Sequence, residues 1–108
     1  MRPPAYKLVV SVPETHTESV LSAIGEAGGG TFGDQYDYCA FIVRGEGRFR
    51  PLSGANPFIG AVGKVERVSE DRVEVTVLPE RLDGVIAAIR AAHPYEVPVI
   101  DVFALSGP

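Results

Sequence analysis

Apolar and polar residues alternate from Lys7 to Val12, placing Leu8, Val10 and Val12 on one face of a β-branched stretch. A period of two predicts a half-buried strand. Val20, Leu21, Ile24 and Ala27 then recur at helical spacing, and Gly28-Gly29-Gly30 closes the segment. Pro13 suits the first turn of that helix, and Glu14 and Glu18 complement its macrodipole. The pattern then returns. Arg72 to Val77 alternates in the same way, Pro79-Glu80 opens a second helix, and Leu82, Val85, Ile86 and Ile89 form its apolar stripe.

The two units superpose without a gap: Lys7 falls on Arg72, Val12 on Val77, Val20 on Val85, Leu21 on Ile86, Ile24 on Ile89 and Ala27 on Ala92. A match running through both strand and helix is an internal structural repeat, with too few copies for a solenoid. Each unit is followed by another strand candidate, Cys39–Val43 after the first and Val99–Leu105 after the second. Strand, helix, strand, repeated, predicts an α+β, ferredoxin-like antiparallel sheet with both helices on one face. Lys64–Val68 reads as an additional strand, turning at Ser69-Glu70-Asp71 to pair with Arg72–Leu78 in an extra hairpin. Gly45 to Gly60 holds too many glycines and prolines for a helix and reads as a long loop, ordered by Phe49, Leu52, Phe58 and Ile59.

Size and charge narrow the function classes. The 108 residues suit a single domain over positions 1–108, with one core and no deep enclosed site. A net charge of −4 argues against nucleic acid as a partner. No run has the length of a signal peptide's apolar core or of a membrane span, so the expectation is a cytoplasmic protein without a membrane partner. Cys39 is the single cysteine, which excludes an intrachain disulfide and suits a small buried apolar residue.

Candidate chemistry gathers at the end of the second helix. Pro94 pushes His93 out of helical geometry, so His93, Tyr95 and Glu96 meet at a helix-to-strand junction. They could supply an imidazole, a phenol and a carboxylate, but the favoured reading is local structure: His93 capping, Tyr95 packing, Glu96 solvated. A metal set would need His93 and Glu96 with Cys39, and no recognised ligand spacing supports it. His16, in a first helical turn, reads as exposed. Arg44, Arg48, Arg50 and Lys64 surround glycines and could cradle an anion, although a charged strand edge is the simpler reading and no Walker pattern is present. Nucleophilic catalysis finds no Gly-x-Ser-x-Gly elbow.

Two motifs carry a family resemblance. His93-Pro94-Tyr95-Glu96-Val97-Pro98 is similar to a motif of the copper-tolerance protein CutA, a trimer related in fold to the PII signalling proteins. Gly33 to Phe41, then Gly45-x-Gly47-x-Phe49-x-Pro51-x-x-Gly54-Ala55-Asn56-Pro57-Phe58-Ile59-Gly60, resembles the CutA-like domain inserted in many proteins of the NGG-interacting-factor-like family, also called type-two GTP cyclohydrolase I. The resemblance extends from Tyr6 to Leu105 and implies a free-standing copy of that insert. The dinuclear metal site of the larger proteins lies in flanking domains whose motifs have no counterpart here, so hydrolase activity is not carried over. Self-association is implied, a trimer in preference to a dimer.

The expectation is thus a non-catalytic regulatory or ligand-binding module with no cofactor, addressed by a small-molecule effector or a protein partner. Arg48, Arg50, Gly54, Ala55, Asn56, Pro57, Phe58, His93, Tyr95 and Glu96 form the candidate binding set. A subunit cleft is expected to bring the middle loop of one copy to the His93 junction of another. The alternatives are a CutA-like divalent-metal binder and a nucleotide-acting hydrolase.

Overall fold

The computed structural model describes residues 3–107. Strand β1 (Ala5–Pro13) leads through a single 3-10 turn (Glu14–His16) into α1 (Thr17–Glu26); β2 (Phe41–Phe49) and β3 (Glu66–Val77) follow. A second 3-10 turn (Pro79–Arg81) opens α2 (Leu82–Ala92), and β4 (Ile100–Leu105) ends the sheet. The strand order β2-β3-β1-β4, with every neighbouring pair antiparallel, is the ferredoxin-like arrangement. The repeat survives in detail. The alignment that lays Lys7 on Arg72 also lays the turn Glu14–His16 on Pro79–Arg81. Pro13 itself remains in β1, with extended geometry at φ −60° and ψ 142°.

The alternating positions form the core. Leu8 lies opposite Val75 and Val10 opposite Val73, and Val20, Ile24, Val85 and Ile89 of the helices close over them. Burying each such side chain contributes roughly 1.5–3 kcal/mol, which is why the alternation fixes the sheet's register. Helix α1 ends in a Schellman turn. Gly29 N–H donates to the Ile24 carbonyl and Gly28 N–H to that of Gly25, with Gly28 at φ 95°. The opposite sheet face carries exposed Phe41, Val43 and Phe103. Among the described residues no helix is long and apolar enough to cross a membrane.

The sequence reading differs from the structure in the middle of the chain. The extra hairpin does not form: Lys64–Val68 does not fold back on Arg72–Leu78, because Glu66–Val77 is one continuous strand. Ser69-Glu70-Asp71 lacks Gly, Pro or Asn to reverse the chain, and its acidic side chains find partners on opposite faces: Asp71 bonds Thr17 and Arg44, Glu70 bonds Tyr95. Gly45–Phe49 likewise belongs to β2 and not to the loop. A Cβ on Gly47 would overlap the Glu70 carboxylate, so this glycine marks a close approach and not a break. Because β1 reaches β3 only at Glu70, Glu46–Phe49 and Glu66–Ser69 project past the sheet as a two-stranded ribbon. The true loop, residues 50–65, folds back from its tip.

Candidate functional site

Pro94 stops α2 as its chemistry requires. His93 takes extended geometry (φ −77°, ψ 133°) while its N–H still donates to the Ile89 carbonyl at 2.8 Å. The side chain is buried. The pairing of β1 with β4 stops at Val10, and His93 Nε2 reaches the Ser11 carbonyl just beyond it, at 2.7 Å. The Tyr95 backbone N–H donates to His93 Nδ1 at 3.1 Å. Nδ1 is therefore the acceptor, which assigns the proton to Nε2 and leaves a neutral ring. Burial holds this imidazole's pKa below its ordinary value, against the opposing pull of the Ser11 bond and of nearby Glu70.

Tyr95 turns the junction outward. Its ring lies 5.0 Å from that of His93, and its hydroxyl donates to Glu70 Oε2 at 2.6 Å. Desolvation, then the Glu70 bond and charge, raise the phenol's pKa, so it remains a donor. Glu96 faces the middle loop. The backbone N–H of Asn56 donates to its Oε2 at 3.0 Å, and Phe58 packs its ring 6.4 Å from Tyr95 and edge-on to His16 at 5.5 Å. Phe49, at the end of β2, also lies 6.0 Å from Tyr95.

Ribbon, loop and junction thereby enclose a groove of about 500 Å³, a volume typical of small-molecule sites. Its walls are mostly apolar, from Phe49, Pro51, Pro57, Phe58 and Val97, with Glu70, Tyr95 and Glu96 as polar points and Arg48 and Arg50 exposed at the margin.

Of the sequence candidates, Arg48, Arg50, Ala55, Pro57, Phe58, Tyr95 and Glu96 line this groove. Asn56 reaches it through its bond to Glu96, Gly54 turns the loop at φ 95°, and His93 stands behind Tyr95 instead of in the wall. Middle loop and junction, expected to meet across two subunits, already meet within one chain through the Asn56–Glu96 bond. His16 is not simply exposed but half-buried against Phe58. Glu70 and Ser11 are absent from the sequence candidates, Glu70 because it falls in the expected turn Ser69-Glu70-Asp71. The lack of any breaker between Val65 and Val77 was the signal for a continuous strand.

The set His93, Glu96 and Cys39 does not converge. Both His93 ring nitrogens are engaged, and Cys39 lies in a separate small groove beside Lys7, Phe41 and Glu74. No cluster of three or more metal-ligating side chains occurs among the described residues. Nor is Arg44 free for an anion: it bridges Glu14 and buried Asp71, whose other donor is Thr17 Oγ1 at 2.7 Å.

The fold is that of the CutA proteins. CutA from Archaeoglobus fulgidus superposes with a TM-score of 0.68 at 17% identity, over 96% of this chain and 86% of that one. CutA1 from Oryza sativa gives 0.69 at 19%, over 99% and 84%. No family model matches the chain. Its sequence nevertheless corresponds to one segment of the Nif3-like proteins. A "GTP cyclohydrolase 1 type 2 homolog" of Mycobacterium tuberculosis is 51% identical over 102 residues, 94% of this chain, and one from Halalkalibacterium halodurans is 46% identical over 101. A Bacillus cereus protein related to NIF3 superposes with a TM-score of 0.84 at 38% identity, over 99% of this chain. The chain spans about a quarter of these relatives, 27% in each case.

Proposed function

We propose that this chain is a non-catalytic, self-associating module that binds a small effector in the groove between the middle loop and the junction after α2. The observation that carries the reading is the Asn56–Glu96 bond, which ties a long glycine- and proline-rich loop over an apolar groove holding the Glu70–Tyr95 pair. Long ordered loops that wall such grooves are usually functional. The relatives' name refers to GTP chemistry, but the chain corresponds to 27% of their length. Modulation, not turnover, suits it.

Self-association is supported by exposed Phe41, Val43 and Phe103 on the sheet face away from the helices, with a trimer as the expected state. Native mass spectrometry of protein purified without added ligand tests both halves. The reading expects an oligomer, with retained small-molecule mass lost on gentle denaturation. A strict monomer, together with no melting shift across metabolites and nucleotides, overturns it.

A further inference from the structure

Glu70 is a carboxylate in an apolar setting with one neutral partner. It lines the groove beside Phe49, Phe58 and Tyr95, accepts one bond from the Tyr95 hydroxyl at 2.6 Å, and forms no ion pair among the described residues. The missing Cβ of Gly47 makes room for that carboxylate over the ribbon. Elsewhere in the sheet region Asp71 and Glu14 share Arg44 and Glu74 pairs with Arg72, whereas Glu46, Glu66 and Asp101 form no ion pair among the described residues but do not line the groove. A carboxylate held half-buried without a cation loses solvation that an incoming cation restores.

Resting on the groove reading above, we infer that the ligand carries an organic ammonium group, seated against Glu70 and the faces of Phe49, Phe58 and Tyr95. Aromatic faces attract cations within about 6 Å of the ring centroid, and a carboxylate among them supplies the charge complement. The ring centroids of Phe49 and Phe58 lie 6.0 and 6.4 Å from that of Tyr95, so the three rings form a continuous aromatic wall in the groove that Glu70 lines. Glu96 Oε1, unused by Asn56, offers a second acceptor at the loop side. Arg48 and Arg50 also line the groove, but neither forms an ion pair with Glu70, and both are exposed where Glu70 is half-buried.

Three probes of nearly equal shape separate charge from shape: phenethylammonium, 2-phenylethanol and phenylacetate. Calorimetry with amide shifts at Gly47 and Tyr95 should rank the ammonium about tenfold tighter than the alcohol, with phenylacetate weakest. In Glu70→Gln, whose amide oxygen still accepts from Tyr95, the ammonium preference should vanish while the alcohol's affinity persists. Equal binding of the three probes overturns the ammonium assignment and leaves the groove intact. Tightest binding of phenylacetate overturns it in favour of an anion held by the arginines. If no probe moves a groove amide, the ligand-binding reading falls as well.

Discussion

The backbone N–H of Asn56 donates to Glu96 Oε2 at 3.0 Å, joining residues forty positions apart in sequence and closing the middle loop onto the junction after α2. Around it, Phe58 supplies the loop's apolar contact with Tyr95 and His16. One polar tether and one ring thus hold the loop, and both can be removed separately.

Glu96→Ala should release the loop with little change in global stability, about 1 kcal/mol or less, because the bond is exposed. Hydrogen exchange checks it: protection of the Asn56 amide should fall while core amides of β1 and β3 keep theirs. Phe58→Ala, which removes packing as well, should loosen the loop further.

His93 predicts a pH dependence. Its folded-state pKa lies below the unfolded value of about 6.5, so the unfolded chain binds more protons in that range. Stability should be fully present above pH about 6.5 and decline as pH falls from there towards the folded pKa. Protonating Nδ1 also removes the acceptor of the Tyr95 N–H, so the groove wall should loosen together with the loss of stability. Chemical denaturation at a series of pH values, compared between the parent protein and His93→Gln, should show the slope diminished in the variant. His16 is the only other histidine, and its retention in both proteins controls for it.

Asp71 works at lower pH. Arg44 first, and then Thr17, hold its carboxyl below the usual range, so its contribution is present above about pH 4 and lost as pH falls through the lowered value. Thr17→Val keeps the volume and deletes one donor to this buried group. The expected cost is about 1–2 kcal/mol near neutrality, read from urea midpoints, and the loss should shrink once Asp71 is protonated.

How much of this was legible follows from which residues are periodic. The alternation at Leu8, Val10 and Val12 and its repeat at Val73, Val75 and Val77 predict the sheet, since a one-residue slip would expose every core side chain. The β2–β3 ribbon escaped the same reading. Gly45 and Gly47 look like breakers until Glu70 is seen lying over Gly47, a long-range contact that composition does not encode. The motifs single out most of the residues that line the groove, but not Glu70 and Ser11, since each is ordinary strand sequence and matters only because Tyr95 and His93 reach them.

Gly30 tests the backbone around α1. Its φ is 76°, its N–H donates to the Thr76 carbonyl, and a Cβ there would strike the Cys39 backbone. Gly30→Ala should cost about 2 kcal/mol or more in thermal or urea unfolding, whereas Gly84→Ala, whose Cβ meets nothing, should stabilise α2 slightly.

Ligand binding in the groove between ribbon, loop and junction can be tested residue by residue. The direct measurement is an amide chemical-shift map of the labelled protein titrated with a library of small metabolites and amines. The account predicts that whichever compound binds shifts Gly47, Ala55, Asn56, Tyr95 and Glu96, and that Glu96→Ala weakens it. Shifts confined to the Cys39 groove beside Lys7 and Phe41, or binding unchanged by Glu96→Ala, would contradict the account.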